Sequence, residues 1–175
     1  MPLPKTDIEY GTHAFNFISG CLHECGYCYA HGIARRFCRE GWKEAEDGGT
    51  HELYSPIYHL NEKSGKFEID PYPYGFDPTL HGYKFDALAG HKKPARVCVG
   101  FMGDTWGNWV PDDWIEDLML ACRIAPQHTY LFLTKDIHGY CDRFDSGLVV
   151  TQPNMWFGQT WDGEHTCLTD LREYG

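Results

Sequence analysis

The chain has 175 residues, of which 42% are hydrophobic and 23% are charged, a composition typical of one globular domain with a buried core. Its formal net charge of −10 disfavours tight, sequence-independent binding to nucleic acid, which depends on neutralising phosphates. No segment has the ~20 apolar residues of a membrane span, and the first residues, MPLPKTDIEYG, lack the apolar run of a secretory signal. We therefore expect a cytoplasmic protein, with no membrane partner and no indicated nucleic-acid partner.

Four apolar runs predict β-strands, with helical patterns between them. The runs are HAFNFIS (13–19), ARVCVGF (95–101), TYLFLT (129–134) and NMWFGQT (154–160). Runs that are apolar throughout are typical of strands buried on both faces, as in a parallel sheet. Acids in the first turn and an apolar stripe predict a helix between Pro111 and Pro126. A further helix is predicted over 137–144, and residues 167–174 are predicted to begin another.

Residues 40–92 lack helical periodicity and are rich in Gly, Pro, Tyr and His, which predicts an irregular insertion. Within them, LYSPIYHL and KFEID flank NEKSG, a pattern that indicates a small hairpin. The alternation of strands and helices predicts an α/β fold. Specifically, we expect a partial (β/α) barrel of about four βα units with parallel strands, in a single domain over 1–175, with the insertion between the first two units.

The segment GCLHECGYCYAHG holds three of the eight cysteines at C-x3-C-x2-C spacing, directly after the first predicted strand. In a reducing compartment such a cluster indicates a metal site more than a disulfide framework. Structural zinc takes four ligands, and the fourth would have to be Cys38, His23 or His31. An electron-transfer [4Fe–4S] cluster also takes four cysteines, so three thiolates leave one iron open to a small molecule. The spacing favours the open cluster, and no separate role is assigned to the two histidines.

The motif, with an aromatic residue before its last cysteine, resembles the signature of the radical S-adenosylmethionine (SAM) superfamily. In that superfamily a reduced [4Fe–4S] cluster cleaves SAM to a 5′-deoxyadenosyl radical, which abstracts hydrogen from a substrate. The resemblance implies that Cys21, Cys25 and Cys28 ligate the cluster and that Tyr27 lies along the adenine of SAM. It also implies a reductant protein of the flavodoxin or ferredoxin type.

Longer segments are similar to a phage- and prophage-associated radical SAM-type family whose substrate is undefined. They include GCLHECGYCYAHGIARRF, FDPTLHGYKFD, the block from Lys93 to Asp136, and NMWFGQT. By this likeness Met102, Gly103 and Asp104 receive the SAM amino group, and two further cofactor-binding candidates are Thr134 and Lys135. Members of that family continue with further strands. The resemblance thus implies a C-terminally truncated chain whose activity is in question.

Two other functions stay open as alternatives. One is a non-catalytic, zinc- or cluster-stabilised accessory or binding module of a phage. The other is a DNA-lesion lyase of the spore photoproduct type, because GC…C-x-YCY also resembles that family, although the acidic charge disfavours it. At single positions, Asp104 is equally compatible with a turn after Gly103. Three tryptophans are interpreted as core packing in preference to cleft lining: Trp106, Trp109 and Trp114.

Overall fold

The computed structural model describes residues 2–38 and 49–161, and within them the chain has a mixed α/β fold. The strands of the first half are β1 (His13–Phe15), β2 (Ile18–Ser19), β3 (His51–Leu53), β4 (Tyr58–Asn61), β5 (Lys66–Ile69) and β6 (Thr79–His81). Those of the second half are β7 (Arg96–Val99), β8 (Thr129–Thr134) and β9 (Met155–Gln159). The α-helices of the described ranges are α1 (Tyr29–Phe37), α2 (Asp86–Gly90), α3 (Asp112–Ile124) and α4 (Ile137–Asp145), and a short 3-10 helix spans Gly82–Lys84.

Within the described part of the chain, the main sheet is parallel and four-stranded, in the order β1-β7-β8-β9. The last three predicted strands and the helices α3 and α4 lie where the sequence predicts them, and the parallel pairing is confirmed. The expected burial on both faces is wrong for β9, because this strand lies at the edge of the described sheet and its Trp156 is 65% exposed. The described strands do not close into a barrel. The helix predicted from the start of 167–174 lies outside the described residues.

The first apolar run is two strands in different sheets, so the prediction of one continuous strand is wrong. β1 pairs in parallel with β7, whereas β2 pairs antiparallel with β6. The change of partner falls at Asn16, whose side-chain oxygen accepts from the backbone N–H of Phe101 at 3.0 Å. The ammonium of Lys84 donates to the Asn16 carbonyl at 2.9 Å. These contacts turn the chain out of the main sheet just before the cysteines.

The segment 40–92, expected to be irregular, carries regular structure in its described part. The predicted hairpin is present as β4 and β5. In addition, β6 lies between β2 and β3 in a three-stranded sheet. A small apolar cluster joins this segment to α1 through Tyr72, Phe76, Ala30 and Ala34. The insertion therefore packs under the helix that follows the cysteines.

The main core joins the sheet to α3 and α4. Trp106 and Trp114 are fully buried in it, which confirms their interpretation as core residues, whereas Trp109 is only half-buried. Trp106 packs against the ring of Tyr140 with centroids 4.7 Å apart. Burial of side chains of this size contributes about 1.5–3 kcal/mol each. None of the helices in the described ranges has the length and apolar character needed to cross a bilayer.

A buried arginine fixes the connection between β7 and α3. Arg143 of α4 donates to the carbonyls of Trp106 and Val110 at 3.2 Å and 2.6 Å, and its Nε donates to Asp112 at 3.0 Å. Gly139 makes this approach possible, because a Cβ there would lie 1.7 Å from the Trp106 carbonyl oxygen. Contacts with Arg143 and Gly139 of α4 thus hold the residues that follow β7 in place.

Candidate functional site

A cavity of about 780 Å³ lies beside the carboxyl ends of β1, β7 and β8. Ligands of parallel α/β sheets bind at this edge because the loops that follow the strands converge there. All residues predicted to bind the metal or the cofactor line this one cavity: Cys21, Cys25, Tyr27, Cys28, Met102, Gly103, Asp104, Thr134 and Lys135. The structure thus brings the residues of the predicted site together.

The cysteine loop, residues 20–28, begins at a glycine clamped between two backbone segments. The N–H of Gly20 donates to the carbonyl of Met102 at 3.0 Å, and the N–H of Cys21 donates to the carbonyl of Phe76 at 3.2 Å. Gly20 has a φ of +85°, and a Cβ there would lie 2.2 Å from the carbonyl oxygen of Asp77. Only glycine fits this position, which fixes where the loop leaves the sheet.

Gly103 approaches the same point from the end of β7. It forms a bridge with Gly20, and a Cβ on it would lie 2.3 Å from the Gly20 carbonyl oxygen. The side chain of Met102 packs on the small apolar cluster beneath α1. The backbone of these two residues is therefore engaged with the cysteine loop.

The three cysteine sulfurs have different surroundings. Burial raises the pKa of the Cys21 thiol to about 12, so without a metal this thiol keeps its proton at neutral pH. The Cys25 thiol contacts the carbonyl of His23 at 3.9 Å. Cys28 is the N-cap of α1, and its sulfur accepts from the N–H of His31 at 3.4 Å. No three His, Cys, Asp or Glu side chains within 2–38 and 49–161 converge closely enough to hold a metal ion as they stand.

Cys38, the candidate fourth ligand, lies at the other end of α1. Cys28 is the N-cap and Cys38 the C-cap of this nine-residue helix. At the helical rise per residue the two are about 15 Å apart along the axis. The helix therefore separates Cys38 from the cysteine loop, and a closed zinc site with Cys38 as the fourth ligand is not indicated.

Asp104 joins three segments of the site. Its side chain is buried, and one carboxylate oxygen accepts from the N–H of Trp106 at 3.0 Å and from the hydroxyl of Thr134 at 2.8 Å. The other oxygen accepts from the N–H of Lys135 at 2.9 Å and lies 2.8 Å from Nε2 of His23. The bond to Trp106 is the turn contact expected of an aspartate after a glycine. With both oxygens engaged inside the protein, these contacts fit a role in positioning better than direct contact with a ligand.

Two tyrosines, Tyr27 and Tyr29, and the ammonium of Lys135 lie at the rim of the cavity. The ammonium of Lys135 lies 4.6 Å from the centroid of the Tyr27 ring and also contacts its hydroxyl. Tyr29 donates to the carbonyl of Phe101 at 2.5 Å. The tyrosines on either side of Cys28 thus bind the loops after β8 and β7. A cation over an exposed ring stabilises such a contact by about 0.5–1 kcal/mol.

Some lining residues are not identified by the sequence motifs. His23 is the clearest, because its only signal is a position between two cysteines. Trp109 packs edge-on against the His23 ring, with centroids 4.8 Å apart. The segment 6–10 also lines the cavity. It runs beside β1 through a bridge between Lys5 and His13, a pairing that carries no sequence signal.

The fold and site thus define a mixed α/β domain with a cysteine-lined cavity at the carboxyl edge of its parallel sheet. The sequence profile of one family matches residues 5–174, and that family is described as a protein of unknown function, DUF5131. The chain belongs to this family. No curated protein and no solved structure matches the chain.

Proposed function

We propose that this chain binds a [4Fe–4S] cluster through Cys21, Cys25 and Cys28 and is a radical SAM enzyme of unassigned substrate. The observation that carries the proposal is that these thiols line a single cavity with every residue predicted to bind SAM. The proposal includes a partial (β/α) barrel built on the parallel sheet, a reducing cytoplasmic compartment and a low-potential reductant protein.

The donors present fit this cluster. Thiolates are the ligands that iron–sulfur clusters take, and one loop supplies three of them. Because Cys38 lies at the far end of α1, one iron would keep a position open. When bound and reduced, such a cluster supplies the electron that cleaves SAM to a 5′-deoxyadenosyl radical, as in the superfamily that the motif resembles.

The other residues have roles that follow from their contacts. A cavity of about 780 Å³ has the volume of a typical cofactor site. The ring of Tyr27 at the rim offers a flat face for a nucleobase, and Lys135 offers a cation for a carboxylate. Thr134 and Asp104, which bind each other, hold the floor of the cavity. The thiol of Cys21 must release its proton to bind a metal, so cluster loading should release protons.

The test is anaerobic reconstitution of the full chain, followed by iron and sulfide assays and EPR of the dithionite-reduced protein with and without SAM. We expect about four irons per chain, an EPR signal that shifts when SAM is added, and formation of 5′-deoxyadenosine. Serine substitution of Cys21, Cys25 or Cys28 should abolish the cluster, whereas Cys38→Ser is the matched control and should keep it.

Two results would overturn the proposal in different ways. Zinc held in place of iron, with Cys38 required for it, would support the stabilised binding module. A complete cluster that neither responds to SAM nor cleaves it would remove the enzymatic part and leave the cofactor.

A further inference from the structure

His23 links the cysteine loop to the end of β7. Its side chain is 12% exposed, and its Nε2 lies 2.8 Å from the carboxylate of Asp104, which is 81 positions away in the sequence. Trp109 packs against the ring at an interplanar angle of 83°. The imidazole is therefore held by a hydrogen bond at one edge and by an indole beside it.

The partner of His23 is itself immobilised. Asp104 is 5% exposed and accepts from the backbone N–H groups of Trp106 and Lys135, which belong to different loops. A carboxylate fixed by backbone donors cannot follow a moving loop without losing those bonds. It is therefore a rigid anchor for the imidazole.

The backbone of His23 contacts two of the predicted ligands. Its N–H hydrogen-bonds the sulfur of Cys21, and its carbonyl accepts from the thiol of Cys25 at 3.9 Å. Between His23 and Cys25 the chain turns through Glu24, which has a φ of +52°. A thiolate has no proton to donate, so the bond from Cys25 to the His23 carbonyl is lost when both cysteines are deprotonated. The bond from the His23 N–H to the Cys21 sulfur remains. Hydrogen bonds to cysteine sulfur are among the factors that set the reduction potential of iron–sulfur clusters.

We infer that His23 is a positioning residue of the cluster site. Anchored on Asp104, its side chain fixes the backbone of His23, which lies two residues from both Cys21 and Cys25, and so fixes the geometry of the cysteine loop. This inference rests on the proposed function, because it concerns the same three thiols. It assigns His23 no contact with SAM or substrate.

The test compares variants of the full chain after anaerobic reconstitution. His23→Leu removes the donor, whereas His23→Gln can keep an N–H near the position of Nε2. His31→Leu is the matched control, since this second histidine beside the cysteines packs on Phe76, with ring centroids 5.2 Å apart. The readouts are the rate of iron loss to ferrozine, the EPR g values and the midpoint potential of the cluster.

For His23→Leu we expect about tenfold faster iron loss and a changed EPR signal and midpoint potential, as for other residues that orient metal ligands. His23→Gln should restore most of the wild-type behaviour, and His31→Leu should match wild type. If His23→Leu does not fold, His23→Asn repeats the test, because its amide is too short to reach Asp104.

Two outcomes overturn the inference and are distinguishable. If wild type takes up a cluster and the cluster of His23→Leu has the same rate of iron loss, EPR g values and midpoint potential as that of wild type, His23 has no positioning role. If wild type takes up no cluster at all, the proposed function fails first and the inference fails with it.

Discussion

The hydroxyl of Thr134, the last residue of β8, donates to the carboxylate of Asp104, which lies in the loop after β7. Thr134 is 2% exposed, so this bond is made away from water. It connects the end of β8 to the loop after β7 at the floor of the cavity. Its removal should lower the stability of the chain measured without any cofactor.

Thr134→Val keeps the shape of the side chain but removes the donor to a buried carboxylate. We expect a loss of about 1–3 kcal/mol in the free energy of unfolding, because Asp104 keeps a desolvated oxygen with fewer partners. Urea denaturation of the metal-free protein measures this loss. Thr151→Val, in an exposed position, is the matched control and should change stability little. Equal effects at both positions would contradict the role given to this bond.

Gly20→Ala should disrupt the start of the cysteine loop. The new methyl group would meet the Asp77 carbonyl oxygen at 2.2 Å, at a φ that alanine adopts poorly. We expect a loss of at least about 1–3 kcal/mol in unfolding free energy, together with a lower iron content after reconstitution. Gly32→Ala in α1 is the control, because a Cβ there has nothing within 4 Å. That substitution should be neutral or stabilising. A Gly20→Ala protein as stable as wild type would contradict the close approach of Gly20 to the Asp77 backbone.

His81 should make stability fall at acid pH. Its ring is fully buried and lies 2.8 Å from the Ser19 hydroxyl, and burial, with Lys84 nearby, lowers its pKa to about 3. Unfolded histidine titrates near 6.5, so below that pH the unfolded chain binds a proton that the folded chain does not. Stability is therefore complete above pH 6.5 and is lost as the pH falls, by about 2 kcal/mol at pH 5.

The measurement is the free energy of unfolding from pH 8 to pH 4 for wild type and His81→Gln. Carboxylates titrate in both proteins, so the difference between the two isolates the histidine. We expect this difference to shrink as the pH drops below 6.5. A difference that does not change with pH would contradict this prediction, because it would show that His81 has the same pKa in the folded and unfolded chains.

Lys135→Met tests the rim of the cavity. Loss of the ammonium should weaken SAM binding about tenfold if it meets a carboxylate, with little effect on cluster content. The SAM concentration that half-saturates the EPR shift gives the affinity. Lys93→Met, at an exposed position outside the cavity, is the control. An unchanged affinity for SAM would contradict a contact between Lys135 and the SAM carboxylate, and the contact with Tyr27 would then be the only role given to this lysine.

The sequence was sufficient to predict the later strands, because consecutive apolar residues in ARVCVGF and TYLFLT are typical of inner strands, and β7 and β8 lie inside the parallel sheet. NMWFGQT forms a strand as well, but at the edge, where Trp156 is exposed. It was insufficient for the first run, since the split at Asn16 depends on contacts with Lys84 and Phe101, both distant in the chain. The three-residue strands β3 and β6 were also missed, because so short a stretch carries no periodicity.

For the site, the motif and the strand ends identified residues that the fold brings to one cavity. This works because the carboxyl ends of parallel strands meet at one edge. The sequence could not reveal that Asp104 is occupied by internal donors, nor that His23 reaches it. Such a pairing depends on the relative orientation of two loops, which local patterns do not encode.

Cys28 has two functions that mutagenesis can separate. It lines the cavity and also caps α1, so its loss removes a thiol and frees the first turn of a helix. Serine caps helices well but does not replace a thiolate, whereas alanine does neither. Comparison of Cys28→Ser with wild type therefore reports the loss of the thiol, the proposed metal ligand, whereas comparison of Cys28→Ser with Cys28→Ala reports helix initiation. Exchange of the His31 amide proton would report on the cap alone, because this N–H donates its hydrogen bond to the Cys28 sulfur.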